Sequence, residues 1–201
     1  MRRLPEKQVA ERAALDAVLD AGRVGHVAVL DDGQPYVLPV GYGRDGDRVL
    51  IHGSTASRLF RLLSGGTPTC FSVTLVDGLV VARSAFESSM HYRSAMVLGS
   101  CRALTGDEQL AGLELITEHL IPGRWADVRP PLRKELAATL VLELPIDEWS
   151  VKVSDAAPAD PPEDVDGPAW AGVLPMGEAW GAPVPAPDLA DGIALPDYLR
   201  R

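Results

Sequence analysis

Val24-Gly25-His26-Val27-Ala28-Val29-Leu30-Asp31-Asp32-Gly33-Gln34-Pro35-Tyr36-Val37-Leu38-Pro39-Val40-Gly41-Tyr42 is the stretch whose reading decides the fold. From Val24 to Leu30 the pattern has a period of two, which predicts a strand. Asp32-Gly33 is a hairpin turn signal. Tyr36 to Tyr42 is then the return strand. Pro39 inside it cannot donate to a ladder, so it marks an edge, a bulge or a place where backbone must stay open. Asp45-Gly46 makes the next turn, and Arg48 to His52 the third strand. The result is an antiparallel meander with short loops.

Upstream, residues 6–21 read as a helix with Pro5 at its start, a partial apolar stripe at Val9, Ala13, Leu15, Val18 and Leu19, and Gly22 as its stop. Downstream, Arg58 to Leu63 reads as a short helix ended by Gly65-Gly66. Thr69–Val76 and Leu79–Ser84 are expected as two strands around Asp77-Gly78, and Tyr92–Leu104 as one long strand. Thr105-Gly106-Asp107-Glu108 has capping-box spacing, with Thr105 at the N-cap of a helix that runs to about Leu120. Leu132–Leu136 is a short helical piece, and Thr139–Leu144 and Trp149–Val153 are the last strands. Six or more antiparallel strands with few helices predict a mainly β chain that closes, or nearly closes, into a barrel.

The 201 residues carry a net charge of -9, unevenly placed. Residues 153–201 hold nine acidic and two basic side chains, so the remainder is near neutral. This balance argues against nucleic acid as the main partner. Nine of the seventeen prolines fall in 155–201, and that stretch reads as an extended acidic tail. Trp170, Val173, Leu174, Trp180 and Tyr198 within it predict that parts of it dock on the barrel or on a partner subunit. The expected division is a barrel domain over 1–153 and a partly docked tail over 154–201. No apolar run is long enough to span a bilayer, no secretory signal is expected, and two cysteines cannot staple a scaffold. The expected compartment is the cytoplasm.

Gly41-Tyr42-Gly43-Arg44-Asp45-Gly46 matches a dinucleotide fingerprint, but a strand follows where a helix is required, so it reads as a hairpin turn. His26, His52, His91 and His119 are scattered without metal-ligand spacing, and no metal site is expected. The most informative chemistry is in His52-Gly53-Ser54-Thr55-Ala56-Ser57-Arg58, where a strand ends and a helix begins among three hydroxyls and an arginine. That combination suits a phosphate group. It also suits a plain helix N-cap by Ser54 or Thr55, with Arg58 on a solvated face.

The stretch from Arg23 to Val153 resembles the FMN-binding split-barrel proteins of the pyridoxamine-phosphate oxidase superfamily. Within it the branch of flavin-nucleotide-binding and 5-nitroimidazole-resistance proteins looks nearest. The resemblance is carried by the order and spacing of several pieces: Gly25-His26-Val27-Ala28, Pro35 to Val40, Val49 to Ser54, Ser57-Arg58-Leu59, Asp77-Gly78-Leu79-Val80, Ser89 to Gly99 and Trp149-Ser150-Val151-Lys152. The Trp170 to Pro175 segment of the tail looks like members of this branch as well.

The resemblance implies an antiparallel split barrel that forms a homodimer with FMN at the interface. It implies backbone near Pro39 and Val40 facing the flavin ring, and His52, Gly53 and Ser54 beside the cofactor. Ser57 and Arg58 would hold the phosphate, Tyr92, Arg93 and Ser94 would line the cleft, and Trp149 and Lys152 would match a late element near the flavin. His52 is the candidate catalytic acid, since imidazole titrates near neutrality. The founding oxidases' arginine–lysine phosphate pattern is not matched, which argues against vitamin-B6 oxidation but not against flavin binding. The leading expectation is a flavin-dependent oxidoreductase with a small-molecule electron donor or acceptor, of the nitro or quinone-like kind. The alternatives are an FMN-storing or FMN-sensing module without turnover, or the same fold holding a deazaflavin or haem.

Overall fold

The computed structural model describes residues 8–200. Pro5, Glu6 and Lys7, where the first helix was expected to start, lie outside them. Gln8–Val9 is a strand, β1, and the helix α1 is Arg12–Ala21. Val9 is drawn into the sheet by pairing with Val151, which leaves the helix ten residues long.

The meander forms as its turns dictate. β2 (Val24–Asp31) and β3 (Gln34–Asp45) are joined by Asp32-Gly33, both at positive φ (50° and 79°), the conformation of a two-residue hairpin turn. β4 (Arg48–Ser54) returns over Gly46, whose φ is 56°. Then come α2 (Arg58–Ser64), β5 (Pro68–Val81), β6 (Ser89–Ser100), β7 (Arg102–Leu104), α3 (Asp107–Leu120), α4 (Arg133–Ala137), β8 (Thr139–Pro145), β9 (Glu148–Ser154) and β10 (Gly172–Pro175). The strands run β1-β9-β6-β5-β2-β3-β4-β8-β7, all pairings antiparallel, with β10 on β5. The curled sheet is the expected split barrel.

Three local expectations are corrected. Asp77-Gly78 is not a hairpin turn. β5 runs through it as one 14-residue strand, and the register to β6 shifts by a bulge between Val76 and Gly78. Gly78 lies against β10, where a Cβ would come within 2.9 Å of the Leu174 carbonyl oxygen. The long strand expected from Tyr92 breaks at Cys101: β6 ladders with β5 and β9, while β7 crosses to β8. Thr105 is not an N-cap, because the chain leaves β7 through Gly106 at φ 59° and α3 starts at Asp107. Asp107 and Glu108 in the first turn suit the positive end of its dipole.

The barrel interior is filled from α1 (Leu15, Val18, Leu19), β2 (Val27, Val29), β5 (Phe71, Val73), β6 (Ala95, Val97) and β8 (Leu142, Leu144). Tyr42 lies at its centre, fully buried. Its hydroxyl donates to the Leu19 carbonyl at 2.6 Å, and its ring meets Phe71 edge-on at 5.0 Å. That bond occupies one of the carbonyls α1 leaves open at its C-terminal end. α3 covers the outer face of the β4–β8–β7 layer through Leu50, Leu104, Ile116 and Val141. At Gly43 a Cβ would come within 2.6 Å of Leu115, so α3 sits close to the sheet because glycine stands there.

The segment after β9 is tied down at intervals. The Asp160 carboxylate accepts the Arg83 backbone N–H at 2.7 Å and its guanidinium at 2.8 Å. Trp180 lies under the Arg23 guanidinium at 5.0 Å, and Tyr198 donates to Asp127 at 2.6 Å. Trp170 and Leu174 stay largely exposed.

Candidate functional site

β3 changes partners halfway along. Gln34–Gly41 ladders with β2, and Tyr42–Asp45 with β4. β4 leaves β3 after Ile51, so on that side no strand among the described residues pairs with Gln34–Gly41. Unpaired strand backbone must find other partners for its N–H and C=O groups. This is the split of the barrel, and seven of the predicted residues flank it: Pro39 and Val40 on β3, His52, Gly53 and Ser54 at the end of β4, and Ser57 and Arg58 at the start of α2. Val40 and its neighbours Tyr36 and Leu38 are half-buried against the core. Gly53 is needed because a Cβ there would lie 2.2 Å from the Phe60 ring.

The turn between β4 and α2 is built from its own backbone. Ser57 N–H donates to the Ser54 carbonyl at 3.0 Å, and the Ser54 hydroxyl accepts the Ala56 N–H at 3.1 Å. Neither Ser54 nor Thr55 caps α2. The N-cap is Ser57, and its side chain makes no capping bond. Arg58 is not on a bare solvated face either: its guanidinium pairs with Asp31 and lies 5.5 Å from the Tyr36 ring centre. The His52 imidazole is accessible at its rim, yet the protein around it desolvates its charged form and lowers its pKa below the ordinary value.

The other predicted residues lie elsewhere on the sheet. Ser94 stands opposite Lys152, and Tyr92 opposite Ser154. Lys152 and Ser94 line a hollow of about 190 Å³ with Ser72, Thr74, Met96 and Ser150, on the sheet face turned away from the barrel core. Arg93 points to the opposite face, where it grips Asp77 through two bonds of 2.7 and 2.9 Å and holds that carboxylate below its usual pKa. Trp149, opposite Val97, packs against the barrel core. The structure thus brings the β3–β4–α2 group together and leaves the β6–β9 group several strands away within one chain.

One residue set aside by the sequence reading has a different standing here. His26 is exposed beside Pro39 on the same outward face. The signal was the alternation itself: buried Gly25 and Val27 on either side put His26 on the opposite face. Among the described residues, no group of three or more His, Cys, Asp or Glu side chains is arranged to hold a bare metal ion.

A family model described as pyridoxamine 5'-phosphate oxidase matches residues 11–153. Among solved structures, the FAD and haem binding protein from Mycobacterium smegmatis is 47% identical, with 96% of each chain covered and a TM-score of 0.94. The flavocytochrome Anf3 from Azotobacter vinelandii is 37% identical over 98% of this chain and 92% of its own, with a TM-score of 0.92. A putative 5-nitroimidazole antibiotic resistance protein from Bacteroides thetaiotaomicron shares the fold at 20% identity and a TM-score of 0.62, covering 73% of this chain and 86% of its own. No curated protein matches. The chain is a member of the pyridoxamine 5'-phosphate oxidase family, built on its split barrel.

Proposed function

We propose that this protein binds a flavin along the split of the barrel and a haem beside it, and that it works in electron transfer. The observation that carries the reading is the 47% identity, over nearly the whole of both chains, to a protein described as binding FAD and haem. The flavocytochrome at 37% supports the same pairing.

The residues present fit a flavin. Gln34–Gly41 of β3 has no second strand partner among the described residues, which leaves that edge of the strand open to the polar edge of the ring. Ser54, Ser57 and Arg58 flank that edge with two hydroxyls and a cation suited to a phosphate. They fit a haem as well. The porphyrin brings four nitrogens of its own, so the chain has to add only one or two donors. Imidazoles are available for that without a metal cluster. Bound together, flavin and haem supply one- and two-electron chemistry, while the protein supplies position, electrostatics and exclusion of water. The burial that lowers the His52 pKa favours its neutral imidazole at the split.

FAD is the flavin we favour, from the first of these relatives. FMN has the same ring with a shorter tail and uses the same β3 edge. Oxidoreductase turnover with a nitro or quinone-like acceptor belongs to this reading. So does a homodimer. Titrating the protein with FAD, FMN and hemin tests it. Saturable quenching of flavin fluorescence, together with a Soret shift for hemin, is expected. Absence of saturable binding by any flavin overturns it.

A further inference from the structure

The four histidines are not equivalent. Nε2 of His91 is engaged by the Ala156 carbonyl at 2.8 Å, and Nε2 of His119 by the Gly22 carbonyl at 2.7 Å. Nε2 is the ring nitrogen that extends away from the backbone. Nδ1 adjoins Cβ, where a flat macrocycle would strike the main chain. Two imidazoles remain, His26 and His52. Both stand on the outward face of the sheet, on the two strands that flank β3.

Their surroundings decide between them. Val141, opposite His52, is buried under α3 with Leu50 and Ile116. α3 also reaches β3, since a Cβ on Gly41 would come within 3.2 Å of Leu120. A wide planar group has little sheet to lie on there. No element of the described chain covers the face around His26. Val24 and Val37 are each 52% exposed, and Leu30 is 62% exposed. A shallow hollow of about 300 Å³ adjoins them, lined by Ala28, Leu30, Pro35, Pro68, Cys70 and Leu98. An apolar patch of this kind marks a binding surface. Strand side chains stand roughly perpendicular to their sheet, so His26 rises as a post between the apolar side chains of β2 and β3 and Ser72 of β5, its register partner, which opens the hydroxyl-lined hollow beyond.

The thiols and two of the tyrosines are poorly placed as iron donors. Burial pushes the Cys70 thiol up and the Cys101 thiol to about 12, so neither is a ready thiolate. Tyr42 is spent in the core and Tyr198 on Asp127.

We infer that His26 is the axial ligand of the haem, whose porphyrin lies against the apolar outward face formed by β2, β3, β5 and β6. The inference rests on the flavin-and-haem reading above and assigns that reading its iron ligand.

The test is hemin titration of the full chain, read by Soret position and by electron paramagnetic resonance, in the unaltered protein, His26→Gly and His52→Ala. His26→Gly should lose at least about tenfold in hemin affinity and change the iron's spin state. Free imidazole should restore the original spectrum, an effect a mere packing role would not give. His52→Ala should keep the spectrum of the unaltered protein. Unchanged flavin affinity in His26→Gly shows that the variant is folded. If His26→Gly takes up hemin with the original spectrum, or changes only dimer dissociation, the inference is overturned while the reading beneath it stands. If the unaltered protein takes up no hemin, the haem half of that reading fails, and the inference with it.

Discussion

Replacing Arg58 by alanine should weaken binding of FMN and FAD and leave riboflavin almost unchanged. A hydrogen bond to a charged group contributes about 1.5–3 kcal/mol. Arg58 starts from a competing engagement, since it pairs with Asp31 and lies over Tyr36. Its side chain is 59% exposed, which puts such a pair at only about 0.2–1 kcal/mol. A phosphate that draws the guanidinium away must offset that amount. The net loss in Arg58→Ala is then about 0.5–3 kcal/mol, or roughly twofold to a hundredfold in Kd. Asp31→Asn removes the competitor and should tighten phosphorylated flavins by up to about fivefold. Fluorescence-quenching titrations with riboflavin, FMN and FAD at low ionic strength, repeated at higher salt, measure both effects. Equal losses for riboflavin and FMN in Arg58→Ala would mean that the variant damages the α2 end of the split and that no phosphate contact exists.

Three further outcomes follow from particular contacts. Tyr42→Phe keeps the Phe71 contact but leaves the Leu19 carbonyl without its donor, which should cost about 1–2 kcal/mol and lower Tm by roughly 2–8 °C; an unchanged melting curve would refute the role given to that bond. Glu135 is held at a pKa of about 2 by Arg129 and by the Leu132 N–H. The stability it contributes is complete above the ordinary glutamate value of about 4.3 and is lost as pH falls through about 2, so Glu135→Gln should flatten that part of the acid-unfolding curve. Asp160→Ala removes the carboxylate that anchors Arg83, and limited proteolysis should then cut the segment after β9 faster than in the unaltered protein, while equal rates would show that this contact does not hold it.

The barrel was legible where local chemistry and tertiary pairing agree. Asp32-Gly33 and Gly46 adopt the positive φ that their turns require, so β2, β3 and β4 fall where their alternation puts them. Asp77-Gly78 carries the same local signal and makes a bulge, because β6 and β10 hold the strand straight on both sides. Strand partners distant in sequence cannot be read from a dipeptide. The same holds for Cys101, where the chain passes from the ladder with β5 and β9 to the ladder with β8. At the site, the sequence marked His52 to Arg58 correctly as a strand-to-helix junction, but it had no means of showing Asp31 beside Arg58, twenty-seven positions away. Alternation placed Trp149 and Lys152 on opposite faces, although both were expected near one ligand. His26 was not counted among the site residues because a lone histidine on a strand carries no spacing pattern, and only the uncovered face around it sets it apart.

The central claim is that one chain carries both a flavin and a haem. The most direct measurement is mass spectrometry of the small molecules released when the purified protein is denatured, with the flavin and haem quantified against chain concentration. The account predicts FAD and protohaem, each approaching one per chain. Release of only one of them, or of neither, from protein that has been offered FAD, FMN and hemin, would contradict it.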